Sequence, residues 1–361
     1  MIVYIFTLFY IATNHSFNKI FLIWNQYFDN SAHLISGLSM WMLNTSSIFA
    51  SSAKLMGNFV EYFNLRTVII TLFLLNAICI YICLSTQNNL YFIIFRNLQG
   101  YISGIQNSIS SGLIGSLPKE SHGFAKYTGL SAIISFLTVI VLWFSIDVVL
   151  IKWILVTINF LAACVFTVID CNHPYKPIPI IKSVIIKVTS EKKFWYNSII
   201  VGSILGIGLF LIAQQKFLLQ SFFHILNHDL TTIISGCGFL VTSTLSFMYF
   251  LHKSFVVYLL FFISSISLLY GLLFNNPYFF IIGVISAFSI FTTINPILSN
   301  DVTTISEDKF VVSAYFFCVR SFFTFLSMSI LSFLTPYNGI LVSILFLTFL
   351  MIFYSFFLKK L

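Results

Sequence analysis

Residues 96–112, RNLQGYISGIQNSISSG, place an arginine, amides and hydroxyls inside an otherwise apolar stretch of the chain. A guanidinium binds anions or amide oxygens, and amides and hydroxyls both donate and accept hydrogen bonds. The polar residues that share one helical face are Arg96, Gln99, Ser103, Gln106 or Asn107, and Ser110. If this stretch crosses a membrane, an arginine costs at least about 2.5–3.5 kcal/mol there. We therefore expect Arg96 to face an internal cavity or a polar group of a neighbouring helix.

A second face of the same stretch consists of small residues. Gly100, Gly104, Ser108 and Gly112 recur every four residues. Such a ridge lets a neighbouring helix approach closely. Later in the chain Gly202 and Gly206 have the same spacing, and we expect these glycines to be packing residues too.

Other polar side chains also interrupt apolar stretches. We assign these side chains to one group that lines a cavity or gates it, together with Arg96, Gln99, Ser103 and Asn107. The added members are Asn14, His15, Lys19, Gln214, Gln215, Thr293 and Arg320. His15 and Lys19 lie four residues apart on one helix, which suits a substrate or proton role; alternatively, the start of the chain is interfacial. Arg320 either ties helices together or contacts a ligand.

An enzyme finds little support in the sequence. Paired carboxylates, metal-ligand clusters, phosphate-binding loops and nucleophile–base motifs do not stand out. The six cysteines lack metal-ligand spacing and are expected to be packing thiols. We therefore expect neither a metal nor a cofactor.

The elements that must position these residues are membrane helices. Of the 361 residues 59% are hydrophobic and only 8% are charged, whereas about 25% of residues are charged in a soluble domain. Because each span needs roughly 20 apolar residues, the pattern predicts an all-α integral membrane protein with twelve spans. These are 2–27, 33–53, 66–86, 90–115, 124–146, 149–169, 195–215, 230–251, 254–274, 277–299, 310–334 and 340–358.

The basic residues predict the orientation of these spans. Thirteen of the eighteen lysines and arginines fall on one side of the predicted membrane, including Lys54, Lys126, Lys192 and Lys309. The positive-inside rule makes that side cytoplasmic, with both termini there. The formal net charge of +8 is thus explained by topology, and we expect a lipid bilayer rather than nucleic acid as the partner.

The chain divides into two predicted halves. The longest connection separates an N-terminal six-helix half (1–170) from a C-terminal one (194–361), and its residues 171–193 form a cytoplasmic loop that contains either a short basic amphipathic helix or a linker. Polar residues concentrate in the first, fourth, seventh and tenth spans. Two halves that each give two cavity helices are typical of a transporter that works by alternating access.

Several motifs resemble the major facilitator superfamily, in particular its multidrug-exporter branch. Arg96, Gln99, Gly100 and Gly104 match the family pattern R-x-x-Q-G-x-x-x-G in the fourth span. GNFVEYFNLR resembles the loop signature between the second and third spans, with Gly57, Glu61 and Arg66 at its positions. The resemblance implies that these three residues form a conformational latch. WILVTINF with Asn159 and FFCVRSFF with Arg320 resemble the sixth and eleventh spans of that branch.

The chain also departs from that branch. The fifth span lacks the antiporter signature G-x-x-x-G-P-x-x-G-G, and Asn14 stands in the region where exporters commonly have an aspartate. No acidic residue falls well inside any predicted span, which argues against proton coupling through a carboxylate.

The sequence therefore favours a monomeric secondary transporter that exports a small organic molecule across a bacterial inner membrane, with a coupling proton left open. Its aromatic-rich lining suits amphiphilic substrates, and its cations suit an anion. Alternatives are a facilitative importer of an anionic metabolite, a channel, and a transport-inactive sensor or scaffold.

Overall fold

The computed structural model describes residues 2–17, 65–86, 88–118, 122–143, 148–169, 178–223, 254–334 and 336–358, with short pieces at 237–238, 240–241 and 244–245. The predicted span 33–53 lies outside the described residues, and so does most of the predicted span 230–251. Lys19 and the two proposed latch residues Gly57 and Glu61 lie outside them as well.

All the long elements of the described chain are helices. Helix α1 (Ile2–Tyr10) continues into a π-helix (Ile11–His15). The others are α2 (Leu65–Ser85), α3 (Asn89–Gly115), α4 (Gly123–Trp143), α5 (Val148–Val168), α6 (Ile178–Ser190), α7 (Lys192–Phe223), α8 (Ser254–Leu273), α9 (Pro277–Val302), α10 (Lys309–Ser332) and α11 (Pro336–Leu358).

Short polar caps set where three of these helices begin. The side chain of Asn88 accepts hydrogen bonds from the backbone amides of Leu90 and Tyr91. Asn276 caps α9 in the same way, with Pro277 as the first helical residue, and the carboxylate of Asp308 accepts from the amide of Val311 at 3.3 Å. Such caps satisfy amide donors that have no partner within the helix, so the helix start is fixed by the sequence.

Seven helices in the described ranges are long and apolar enough to cross a membrane: α2, α5, α7, α8, α9, α10 and α11. The chain is therefore a multi-pass membrane protein. Most predicted spans fall within a few residues of a described helix. Among the described helices α7 differs most, because it continues to Phe223, beyond the predicted end at residue 215. The central connection contains a helix, α6, rather than only a linker. The count of twelve spans stays a prediction.

The described helices form two sets, α1–α5 and α7–α11, which have largely separate cores. In the first set, the Phe6, Phe73 and Phe166 rings of α1, α2 and α5 pack together with centroids 5.8–6.1 Å apart. In the second set, α7 packs along α10 and α8 along α9 around buried residues such as Phe261 and Ala287. Each helix set thus has its own apolar core, and Phe310, Val311 and Ala314 at the start of α10 pack into the core of the first set.

The two sets meet mainly where α3 contacts α10 and α4 contacts α9. Gly112 and Gly115 at the end of α3 face Phe310 and Ser313 at the start of α10. Helix α6 lies beside this junction, and its Val184 packs against both cores. By the predicted topology this junction is at the cytoplasmic end.

Candidate functional site

A chain of buried side-chain hydrogen bonds begins at the π-helix that follows α1. Asn14, in the wide turn, donates from Nδ2 to Oε1 of Gln106 at 2.8 Å. Gln99 donates from Nε2 to Oδ1 of Asn14, also at 2.8 Å, and Arg96 donates to Oε1 of Gln99. The π-turn shifts the helical register so that Asn14 faces α3. Such turns are frequent at functional sites.

The same network continues into α2 and α5. Nε2 of Gln99 lies 3.5 Å from Oδ1 of Asn76, whose Nδ2 donates to Oδ1 of Asn159 at 3.0 Å. Asn159 then donates to the carbonyl oxygen of Leu155 at 2.8 Å. The guanidinium of Arg96 lies 5.0 Å from the centre of the Phe17 ring. The six polar side chains of this network, which we call the amide network, are fully buried: Asn14, Asn76, Arg96, Gln99, Gln106 and Asn159. They join α1, α2, α3 and α5 within the first helix set.

Arg320 on α10 has different surroundings. One terminal nitrogen donates to Oδ1 of Asn295 on α9 at 2.6 Å. Asn295 in turn donates to the hydroxyl of Thr128 on α4 at 3.4 Å, so this contact links the second set to the first. The guanidinium lies 4.7 Å from the ring centre of Phe317 and 5.9 Å from that of Phe291. Its Nε is buried and makes no hydrogen bond to any described residue.

Tyrosine hydroxyls of the first set interact electrostatically with Arg320. The hydroxyl of Tyr10 is hydrogen-bonded with Ser103 and Tyr127, and both tyrosines are near enough to Arg320 for an electrostatic interaction. Tyr127 also donates to Oδ1 of Asn107 at 3.3 Å. We call these residues the interface cluster: Tyr10, Ser103, Asn107, Tyr127, Thr128, Asn295 and Arg320. Guanidinium, hydroxyl and amide groups from both helix sets therefore meet in one place.

Two glycines of α7 and a proline of α9 set the position of this cluster. A Cβ on Gly206 would lie 2.6 Å from the carbonyl oxygen of Thr324, and one on Gly202 would lie against the carbonyl of Arg320 itself. Only glycine allows the backbone of α10 to come this near. Pro296 inside α9 removes one helical hydrogen bond directly after Asn295, which favours local distortion there.

The remaining predicted site residues are placed as follows. Thr293 is buried, and its hydroxyl donates to the carbonyl of Ser289 in its own helix at 2.9 Å. His15, Gln214 and Gln215 lie in described helices, but their side chains are outside the described part. Gly100 and Gly104 are buried. Of the proposed latch, only Arg66 is described, and its Nε donates to the carbonyl of Phe166 at the end of α5 at 2.9 Å.

The sequence pattern did not place Tyr10, Tyr127 or Thr128 in the site, and it marked Asn295 only as one of the polar residues of the tenth predicted span. Two signals were available: Tyr10 lies four residues before Asn14 on the same helix, and Asn295 directly precedes a proline inside a span. Tyr127 and Thr128 carried no comparable signal. Within the described ranges, no group of three histidine, cysteine or acidic side chains is arranged to hold a metal ion.

The sequence matches no protein-family model and no curated protein. The fold, however, matches solved structures of transporters. A variant of the E. coli fucose:proton symporter FucP has a TM-score of 0.66 at 13% identity, over 97% of this chain and 96% of that chain. The human organic anion transporter MFSD10 has a TM-score of 0.70 at 12% identity, over 98% of both chains. A variant of the nucleoside transporter NupG has a TM-score of 0.64 at 12% identity, over 98% of this chain and 99% of that chain.

All three matched proteins are major facilitator superfamily transporters and none is an enzyme. The chain thus has the fold of these transporters along nearly its whole length. The expected likeness to the superfamily is confirmed at the level of fold, and the multidrug-exporter branch stays a prediction.

Proposed function

We propose that the protein is a secondary transporter that moves a small organic solute across the membrane by alternating access between its two helix sets. The observation that carries this proposal is the interface cluster. Buried polar groups in a membrane protein are costly unless they serve each other or a ligand. In this chain such groups from both sets meet at the place where rocking of the sets would expose them in turn.

The solute site in this proposal is the interface cluster, and the amide network holds the first set rigid during rocking. Separate apolar cores support such rigid-body motion, since each set can move without breaking its own packing. The junction of Gly112 and Gly115 on α3 with Phe310 and Ser313 on α10 serves as a closing contact, because the two helices approach closely there.

We further propose export as the direction of transport and a monomer in a bacterial inner membrane, with both termini cytoplasmic. The motif around Arg96 and the distribution of basic residues support these proposals. A coupling proton stays open, and it is worth testing because one structural neighbour is a fucose:proton symporter. A transport-inactive sensor or scaffold is the second candidate, favoured by the missing antiporter signature.

Spin-label distances test alternating access without knowledge of the solute. In a background without native cysteines, Ser116→Cys and Glu307→Cys place labels on exposed residues beside the α3–α10 junction, one in each helix set. We expect two distance populations for this pair, measured by pulsed electron paramagnetic resonance in nanodiscs. Ser116→Cys with Thr167→Cys, both in the first set, is the matched control and should give one population.

A solute panel then supplies the functional measurement. Proteoliposomes are assayed for uptake and efflux with and without an imposed pH gradient. A single, condition-independent distance for the Ser116–Glu307 pair, together with no flux in the panel, would contradict the transporter proposal and favour the scaffold.

A further inference from the structure

We propose that the transported solute is a small organic anion whose acid group binds to Arg320 in the interface cluster. This inference rests on the proposed transport function and adds the chemical class of the solute. Its basis is the one guanidinium in the described part of the chain that lies between the two helix sets.

Arg320 is a buried cation. Its side chain is 8% exposed, and no carboxylate pairs with it in the described ranges. The one ion pair found there joins Lys193 and Asp301, 3.4 Å apart at the helix ends. A buried cation without a counter-charge is strongly disfavoured. Asn295 and the rings of Phe317 and Phe291 compensate only in part, since a neutral acceptor and cation–π contacts are weaker than an ion pair.

Arg320 also has an unused hydrogen-bond donor. Nε of Arg320 is buried and makes no hydrogen bond to a described residue. Buried donors are normally satisfied, so an orphaned one needs an explanation. Arginine binds carboxylates and phosphates through two parallel N–H groups. An acid group placed beside Nε would supply both the missing acceptor and the missing negative charge.

The surroundings of Arg96 differ from those of Arg320. That side chain is fully buried, and it donates to Gln99, which continues into the amide network. The described partners of this network all belong to the first helix set, so a solute reaching Arg96 would have to displace contacts within that set. Arg320 instead lies where α10 and α9 meet α4. Opening of the two sets would therefore expose Arg320 while leaving the amide network intact.

The remaining groups of the cluster fit an anion as well. Tyr10, Tyr127, Ser103 and Thr128 carry hydroxyls, which can turn their hydrogens toward an acid oxygen. No acidic side chain of the described chain stands among them that would attract a cation. The rings of Phe291 and Phe317 give an apolar wall for the organic part of the solute. The cluster thus selects negative charge and tolerates an aromatic or aliphatic body.

Ligand-dependent thermal stability in detergent tests this assignment. The probes are benzoate, succinate and phenyl phosphate, each compared with a neutral counterpart of similar shape: benzamide, succinamide and benzyl alcohol. We expect at least one anion, and none of the neutral compounds, to raise the melting temperature of the wild-type protein. Arg320→Gln should weaken that anion's apparent affinity roughly tenfold or more. Arg320→Lys should keep part of it, because charge remains and the planar fork is lost.

A matched control is available at Lys152. Its Nζ also lies over aromatic rings, 5.0 Å from that of Tyr81 and 5.7 Å from that of Trp153, but at an exposed surface. Lys152→Gln should bind the anion as the wild type does. If Arg320→Gln does not fold, Tyr127→Phe replaces it, and it should weaken binding of the anion by removing one hydroxyl donor of the interface cluster.

Three results would overturn the anion assignment: no stabilisation by any of the three anions, equal stabilisation by the neutral compounds, or unchanged affinity in the Arg320 and Tyr127 variants. These failures are distinct from failure of the transport proposal. If the Ser116–Glu307 label pair still shows two populations, alternating access stands and only the solute class is wrong.

Discussion

Gln99 is the central residue of the amide network, and its removal should cost far more stability than removal of Gln106 from the same helix face. Gln99 accepts from Arg96 and donates to Asn14 at 2.8 Å and to Asn76 at 3.5 Å. Gln106 accepts one bond, from Asn14 at 2.8 Å, while its own Nε2 is buried with no partner among the described residues. Both side chains are fully buried, and leucine is close to both in size.

The expected magnitudes follow from these partners. Each buried group that loses its partner costs about 1–3 kcal/mol, and more if it is charged, although side-chain hydrogen bonds in membrane proteins average only about 0.6 kcal/mol. Gln99→Leu removes an acceptor of the Arg96 guanidinium and the donor to the amide oxygens of Asn14 and Asn76, so we expect about 2–4 kcal/mol of destabilisation. Gln106→Leu loses one bond but removes an unsatisfied donor, so about 0.6–1 kcal/mol is expected. The difference corresponds to roughly tenfold to a hundredfold in the unfolding equilibrium.

The measurement is reversible unfolding in mixed micelles with increasing dodecyl sulfate, followed by circular dichroism, with free energies compared at one detergent composition. Asn14→Ala in both backgrounds serves as a control, because it should couple to Gln99 and, less strongly, to Gln106. Equal destabilisation by the two leucine variants would refute the reasoning, since it would mean that the number of partners does not set the cost.

Two further predictions concern packing and topology. Gly206→Ala should destabilise the protein by about 1–3 kcal/mol through overpacking, because its Cβ would lie 2.6 Å from a backbone oxygen. Gly208→Ala should cost less, because its Cβ would meet only Phe288, with a ring carbon at 3.2 Å and the backbone Cα at 3.6 Å. The same unfolding titration decides, and equal stability of the two variants would exclude close helix contact at residue 206. Accessibility tags at Ser190 should report the cytoplasm and tags at Asn275 the outside, and an outside report from Ser190 would overturn the predicted orientation.

The helices could be predicted from the sequence because their signals are local. Apolar length marks a span wherever the span packs, and an asparagine such as Asn276 caps the residues directly after it. The four-residue spacing of Gly202 and Gly206 likewise predicts that another helix packs closely against them. It does not say which helix, because the partner, α10, lies more than a hundred residues further along the chain.

The roles of the two arginines could not be separated from the sequence for the same reason. Arg96 and Arg320 both stand on polar helix faces. What distinguishes them is whether the facing residue belongs to the same helix set, as Asn14 does for Gln99, or to the other set, as Thr128 does for Asn295. These pairs are separated by 85 and 167 residues, and no periodicity within one span encodes such a choice.

Arg320 pairs with no carboxylate in the described part of the chain, and this has a consequence for the energetics of the transport cycle in a polarised membrane. With a monovalent anion bound, the interface cluster is neutral, whereas the empty cluster carries one positive charge. A full elementary charge crossing the membrane exchanges about 2.3 kcal/mol with a potential of about 100 mV. If rocking moves Arg320 through even a quarter of that field, the exchange is about 0.6 kcal/mol, comparable to thermal energy. Membrane voltage would then act on the return of the empty carrier and leave the loaded step nearly untouched, so that resting potential sets the pace of one half of the cycle.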